Sequence, residues 1–320
     1  MRTHLTIDSK MHVELGGLLQ CVHIWSDDTT NPVLLFLHGG PGVPNRHTIR
    51  AKHLDLLDTF TLVAWDQRGT GGSYAGCPAE TLTLDQLVED AAELCAWLDA
   101  MLRCGKVNIL GGSWGTELGT FLALRHPELV AAYVGYGQVV DGVANEDRSY
   151  AFALEAAQKS GDTRSIEALQ QVGPPVEGIY HPVLQGLMTQ RKIMSRYGGH
   201  SVKKERYIAD TALPILSSPE YGPSETWGIL KGYAFCLENM WPTIVRYDFL
   251  HDNPTPHFQM PYHIFQGVHD NNTPSSLVQD YFNVLEAPQK SLVWFEHSAH
   301  GPLGEEPERF KQLLREVLTA

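Results

Sequence analysis

The chain has 320 residues, with 24 Lys+Arg against 37 Asp+Glu and a formal net charge of −13. An acid excess with no basic cluster longer than Lys203-Lys204 argues against a nucleic-acid partner, which needs a basic stripe, and against an anionic membrane surface. The 43% hydrophobic content suits a large buried core, and no apolar run reaches the ~18 residues of a membrane span.

At roughly 150 residues per domain the length fits two domains, or one α/β core with an insertion. Residues 18–25 alternate partly, as a strand does. Pro32-Val-Leu-Leu-Phe-Leu37 is a continuous apolar run, which suits a strand covered on both faces, and it ends in His-Gly-Gly. Thr61–Trp65 is a second such run, stopping at Asp66-Gln-Arg-Gly-Thr-Gly-Gly72. Helical spacing follows in Leu84–Leu102, where Leu84, Leu87, Val88, Ala91, Ala92, Cys95 and Leu98 share a face opposite Asp85, Glu89, Asp90 and Glu93. A third strand, 107–110, meets Gly111-Gly112, and a helix with Leu118, Phe121, Leu122 and Leu124 continues to Arg125. This βαβ rhythm predicts a mostly parallel sheet flanked by helices.

From about 137 to 256 the apolar runs give way to helical patterns, such as 149–158 and Thr163–Val172, among many prolines. Strand patterns resume at 262–265 and 291–295, and a closing helix has Phe310, Leu313, Leu314, Val317 and Leu318 on one face. The expected organisation is a core in two parts, 1–136 and 257–320, with a helical cap inserted at 137–256.

The five cysteines, Cys21, Cys77, Cys95, Cys104 and Cys236, are widely spaced and form no C-x-x-C, which predicts reduced thiols used as small hydrophobes. The N-terminal segment from Met1 to Lys10 has no apolar stretch of signal-peptide type. The expectation is a soluble, cytoplasmic protein.

Gly111-Gly-Ser-Trp-Gly115 fits G-x-S-x-G between a strand and a helix. A serine hydroxyl is a weak nucleophile unless it is exposed, aimed and beside a base, and a sharp turn at a sheet's carboxyl edge supplies the first two. A triad on this layout runs Ser, acid, His along the chain. For the acid, Asp270 in Gly267-Val-His-Asp-Asn-Asn-Thr-Pro274 directly follows a strand, with His269 beside it. For the base, His297 and His300 both follow the last strand, and position alone leaves the choice open. Their spacing of three also invites a zinc site, which glycine and Pro302 disfavour by predicting a loop. The small residues of His38-Gly-Gly-Pro-Gly42 expose N–H groups, so Gly39 or Gly40 could join the Trp114 N–H in stabilising an oxyanion. No Gly-Lys-Ser/Thr follows to make a phosphate loop, and Gly69-Thr-Gly71 has Tyr74 where a dinucleotide fingerprint needs glycine. No cofactor is expected.

His38-Gly-Gly-Pro-Gly42, Asp66-Gln-Arg-Gly-Thr-Gly-Gly-Ser73 and Gly111-Gly-Ser-Trp-Gly-Thr116 together resemble the α/β-hydrolase family that contains the proline iminopeptidases, the S33 prolyl aminopeptidases. The likeness covers about residues 10–136 and 255–318 and fades in the insertion. It implies the α/β-hydrolase fold with a helical cap. Ser298-Ala-His-Gly-Pro302 with Glu305-Glu-Pro-Glu-Arg-Phe310 resembles the catalytic-histidine segment, which implies His300 as base, and Gly267–Pro274 resembles the acid segment around Asp270. Val43-Pro44 and Gly72 depart from the family's usual glycine and arginine, and its tryptophan-and-glutamate segment opening the cap is not evident.

In that family cap carboxylates bind the substrate's free α-amino group. The candidates here are Glu238, in Ala234-Phe-Cys-Leu-Glu-Asn-Met-Trp241, where apolar neighbours suggest a partly buried carboxylate, then Glu146 and Glu155. Asp66-Gln-Arg68 reads as a structural turn in which Arg68 pairs an internal carboxylate. The resulting expectation is a serine hydrolase forming an acyl-enzyme on a small molecule or short peptide. Release of a small N-terminal residue leads; an esterase, lactonase or thioesterase is the alternative. A non-catalytic binding protein is disfavoured because all three triad residue types are present, and an epoxide hydrolase or dehalogenase because Ser113 stands where those place aspartate.

Overall fold

The apolar runs of the sequence form the middle of an eight-stranded sheet. The computed structural model describes residues 6–203, 206, 213–253 and 255–319; Lys204 of the basic pair and the first five residues lie outside them. The strands are β1 (Ile7–Leu15), β2 (Leu18–Ser26), β3 (Val33–Leu37), β4 (Thr61–Trp65), β5 (Val107–Gly112), β6 (Val130–Tyr136), β7 (Tyr262–Gly267) and β8 (Lys290–Phe295). They lie in the order β1-β2-β4-β3-β5-β6-β7-β8. The β1–β2 hairpin pairs antiparallel with itself and with β4, and every pairing from β4 across to β8 is parallel.

The unbroken hydrophobicity of β3 and β4 has a direct cause. Leu34, Phe36, Leu62 and Ala64 enter one core, and Val33, Leu35, Leu37, Val63 and Trp65 enter the other. The helices α1 (Arg46–Lys52), α9 (Pro302–Glu305) and α10 (Pro307–Leu318) cover the first face, through Ile49, Leu303, Phe310 and Leu314. On the second face lie α2 (Leu84–Leu102), α3 (Trp114–Arg125) and α8 (Ser275–Val284).

Between β6 and β7 come α4 (Gly142–Ser160), α5 (Thr163–Val172), α6 (Val183–Arg196) and α7 (Pro223–Ile244), the inserted helical cap. Tyr150, Ala153, Leu169, Tyr180, Leu187, Ile193, Met194 and Leu237 give the cap a small core of its own. Yet α7 also sends Cys236, Met240 and Ile244 into the main core. Its backbone lies directly on the turn after β4. A Cβ on Gly228 would stand 2.1 Å from the Gly71 carbonyl oxygen, and one on Gly232 would stand 2.6 Å from that of Gly69.

A buried charge cluster fixes this docking. Arg46 grips Asp66 with two hydrogen bonds of 2.9 Å, and its Nη2 also reaches Glu225 of α7 at 2.9 Å. Glu225 in turn accepts from Lys10 of β1 and from the Gly222 N–H at the start of α7. Arg68 meets its expected internal carboxylate in Asp90 of α2, Nε to Oδ2, at 2.7 Å. Among the described residues no helix is long and apolar enough to cross a membrane.

Candidate active site

β5 delivers Ser113 onto a sharp turn at the sheet's carboxyl edge, with φ 54° and ψ −125°. A side chain seldom adopts positive φ, so this backbone is held under strain by its neighbours. The Ser113 N–H donates to the Tyr136 carbonyl at 3.0 Å, and its own carbonyl accepts from the Thr116 N–H at 2.7 Å. The flanking glycines are required by contact: a Cβ on Gly115 would stand 2.0 Å from the Leu37 oxygen, and one on Gly111 would stand 2.6 Å from the Gly115 oxygen. Helix α3 therefore presses against the end of β3 and turns its N-terminus toward Ser113.

The loops after β7 and β8 bring Asp270 and His300 together. His300 Nδ1 donates to Asp270 Oδ2 at 2.9 Å. Asp270 is buried and also accepts from the Asn272 and Thr273 N–H groups, the Thr273 hydroxyl and the Gln266 amide. Burial pushes its carboxyl up, but the His300 charge and these hydrogen bonds outweigh that and hold it below the usual range. His297 and His269, the alternatives, are both exposed. Among the described residues no group of three His, Cys, Asp or Glu side chains comes close enough to hold a metal ion.

Ser113 and His300 line one cavity of about 460 Å³, together with Gly39, Gly40 and Trp114. No hydrogen bond joins the Ser113 hydroxyl to His300. The imidazole's Nε2 instead accepts from Asn272 Nδ2 at 2.9 Å, which leaves the Asn272 Oδ1 buried without a partner. His200, from the segment after α6, stacks obliquely on His300 with ring centroids 5.1 Å apart and is held neutral: burial, with His300 adding to it, pulls it down to about 3.

Gln67 knits the three glycine motifs together. Its N–H donates to His38 Nε2 at 3.2 Å, its amide donates to the His38 carbonyl at 3.1 Å, and its Oε1 accepts from the Trp114 indole at 2.9 Å. His38 Nδ1 is left to donate to the Gly39 carbonyl at 2.9 Å, which fixes the neutral tautomer. Burial pulls His38 down to about 4, so the loop that carries Gly39 and Gly40 stays uncharged at neutral pH. A Cβ on Gly39 would lie 3.2 Å from the Ser113 Cβ, so this backbone runs against the turn that carries Ser113.

The cap carboxylates do not take the places expected from the sequence. Glu238 is exposed and lies outside the cavity wall. Its apolar sequence neighbours Cys236, Leu237 and Met240 turn inward on α7, and helical geometry sends residue 238 to the other side. Glu155 is exposed and pairs with Lys159. Glu146 is buried in the cavity wall but engaged: Arg191 of α6 bonds both of its oxygens. Sequence reading passed over Asn272, His200, Arg191 and Glu117 in this wall; a carboxylate amid the apolar residues of α3 was the signal for the last.

Residues 32–164 match the family described as alpha/beta hydrolase fold. The chain has the α/β-hydrolase fold. It is 29% identical over 303 residues, 94% of this chain and 93% of the relative, to the probable aminopeptidase YbaC of Bacillus subtilis (strain 168). It is 37% identical over 125 residues to the proline iminopeptidase of Neisseria gonorrhoeae, 37% of this chain and 38% of that protein. The proline iminopeptidase of Mycobacterium smegmatis superposes with a TM-score of 0.66 at 18% identity, covering 97% of this chain and 98% of that one. The structural match thus shows a shared fold along most of the chain, while the sequence likeness to the Neisseria enzyme is confined to 125 residues.

Proposed function

We propose that this hydrolase cleaves amides through an acyl-enzyme, with Ser113 as nucleophile, His300 as general base and Asp270 as its orienting partner. The observation that carries the reading is the shared cavity: a serine on a strained strand-to-helix turn and a carboxylate-paired histidine open onto the same space. His300 Nε2 takes the hydroxyl proton as Ser113 Oγ bonds to the scissile carbonyl carbon. The resulting oxyanion is met by N–H groups of Trp114 and of Gly39 or Gly40. The proton on Nε2 then passes to the leaving amine, and water attacks the ester with His300 again as base. Asp270 keeps Nδ1 protonated and balances the imidazolium. Asn272 must release Nε2 before the first step.

The likenesses to YbaC and the proline iminopeptidases favour release of a small N-terminal residue from a peptide or amide. One observation favours a second reading, an esterase, lactonase or thioesterase on an amine-free acyl group: neither Glu146 nor Glu238 offers a free carboxylate to a substrate ammonium. We assign residues 137–256 to the cap that shapes specificity, and the five free thiols support a reducing compartment such as the cytoplasm.

Turnover of an alanine or proline arylamide beside a short acyl ester separates the two readings. Ester turnover without arylamide release would sink the peptidase version. Ser113→Ala and His300→Ala are expected to abolish both activities and His297→Ala to keep most of them. Asp270→Asn is expected to lower kcat by roughly 10³–10⁴ by spoiling the tautomer. Equal labelling of wild type and Ser113→Ala by a fluorophosphonate would remove Ser113 from the mechanism.

A further inference from the structure

Three carboxyl groups stand in the cavity wall among the described residues, Glu117, Glu146 and Glu305. Two are occupied. Glu146 holds Arg191, and Glu305 accepts from the Ser201 hydroxyl and from the N–H groups of Val202 and Ala299. Glu117 has neither an ion pair nor a hydrogen bond, is 3% exposed, and its Oε1 is buried without a partner. A buried polar group without a partner costs stability, so its presence in a binding cavity points to a ligand that completes it.

We infer that Glu117 is the cavity's binding group for a cationic amine, and that it anchors the substrate ammonium close to the bond that Ser113 attacks. The helix sets the distance. Glu117 lies four residues beyond Ser113 on α3, a rise of about 6 Å, and helical side chains lean toward the N-terminus, here toward the nucleophile. An ammonium held over that turn sits beside the acyl carbonyl, as it does in an aminoacyl group. Burial alone pushes the Glu117 carboxyl well above the usual carboxylate range, which favours its neutral form where no counter-charge faces it. An arriving cation supplies the counter-charge that lets it ionise, and the pair forms away from bulk water, where charge-assisted hydrogen bonds are strongest. A neutral isostere of the same shape gains none of this.

The inference rests on the hydrolase reading only in that both use the same cavity, and binding can be measured apart from turnover. L-alaninamide and its des-amino analogue propanamide are titrated calorimetrically into Ser113→Ala protein, with and without Glu117→Leu. A preference for alaninamide of about tenfold or more is expected with Glu117 present, and a ratio near one with leucine. Glu117→Gln, which keeps the shape and an acceptor oxygen, serves as a second variant and is expected to lose most of the preference. Absence of a preference with Glu117 present, or its survival in both variants, overturns the inference. In the otherwise wild-type protein, ester turnover is expected to survive Glu117→Leu while arylamide turnover falls; equal losses for the two substrates also overturn it. Failure of a fluorophosphonate to label Ser113 removes the serine-hydrolase reading and leaves the amine preference standing or falling on calorimetry alone.

Discussion

Asn272 occupies the imidazole nitrogen that receives the Ser113 proton in the proposed mechanism, which makes this hydrogen bond one that the proposed reaction has to break. Because that bond belongs to the ground state, Asn272→Leu is expected to leave kcat within about tenfold of wild type; a hundredfold loss in steady-state assays would assign the amide a part in the reaction. Glu117 makes a stability prediction of opposite character. Its raised folded pKa means that the folded chain keeps a proton which the unfolded chain releases once pH exceeds the ordinary glutamate value, 4.5. Stability is therefore lost as pH rises from there, and Glu117→Leu is expected to melt higher than wild type at pH 8, with the gain shrinking toward pH 4.5. The positions of Ser113, Asp270 and the His297/His300 pair at one edge of the sheet were legible in the sequence because each follows a strand end directly. The choice of His300 came from the family segment, and the structure gives its physical content: His297 turns outward while His300 reaches Asp270. Glu238 misled because sequence proximity to apolar residues says nothing about which side of a helix a carboxylate takes.

At the scale of elements, the docking of α7 depends on one guanidinium. Arg46→Ala would leave the fully buried Asp66 without its partner, and a loss of about 3–5 kcal/mol in urea unfolding is expected. Gly232→Ala places a methyl against the Gly69 carbonyl at 2.6 Å, and overpacking of this kind costs about 1–3 kcal/mol. Since α7 lines the cavity with Tyr233, Leu237, Trp241 and Ile244, Gly232→Ala is also expected to raise KM more than it lowers kcat in the same assays. Helices Leu84–Leu102 and Thr163–Val172 stood in the periodicity with their observed bounds, and α3 and β3 to β5 within a few residues. The edge strand β1 and the central β6 did not. The first has an exposed, polar face, as its alternation of half-buried and exposed positions shows. The second is diluted by Ala131, Ala132 and Gly135, which prefer strands only when neighbours on both sides supply the pairing, as β5 and β7 do here.

Across the whole molecule, protonation sets the acid limit of the fold. His38, His47, His53 and His263 are each pulled by burial to about 4, and His200 to about 3, from an ordinary value of 6.5. The unfolded chain binds these protons near pH 6.5 and the folded chain does not, so stability is fully present above that pH and falls as pH drops toward 4. In Glu117→Leu protein, which lacks the opposing buried carboxyl, melting temperatures measured between pH 8 and 4 are expected to be flat down to about 6.5 and to decline steeply below it; a flat profile to pH 5 would show that these imidazoles titrate freely. That helices separate β6 from β7 was legible because the strand runs stop and resume. The intimacy of cap and core was not, because much of it is built from glycine contacts and a buried charge cluster, which carry no hydrophobic signal. That intimacy constrains how new specificities can be engineered. With its backbone seated on the turn at Gly69 and Gly71, α7 behaves as part of the frame, so a transplant of another hydrolase's cap should exchange the preceding helices and leave Pro223–Ile244 in place.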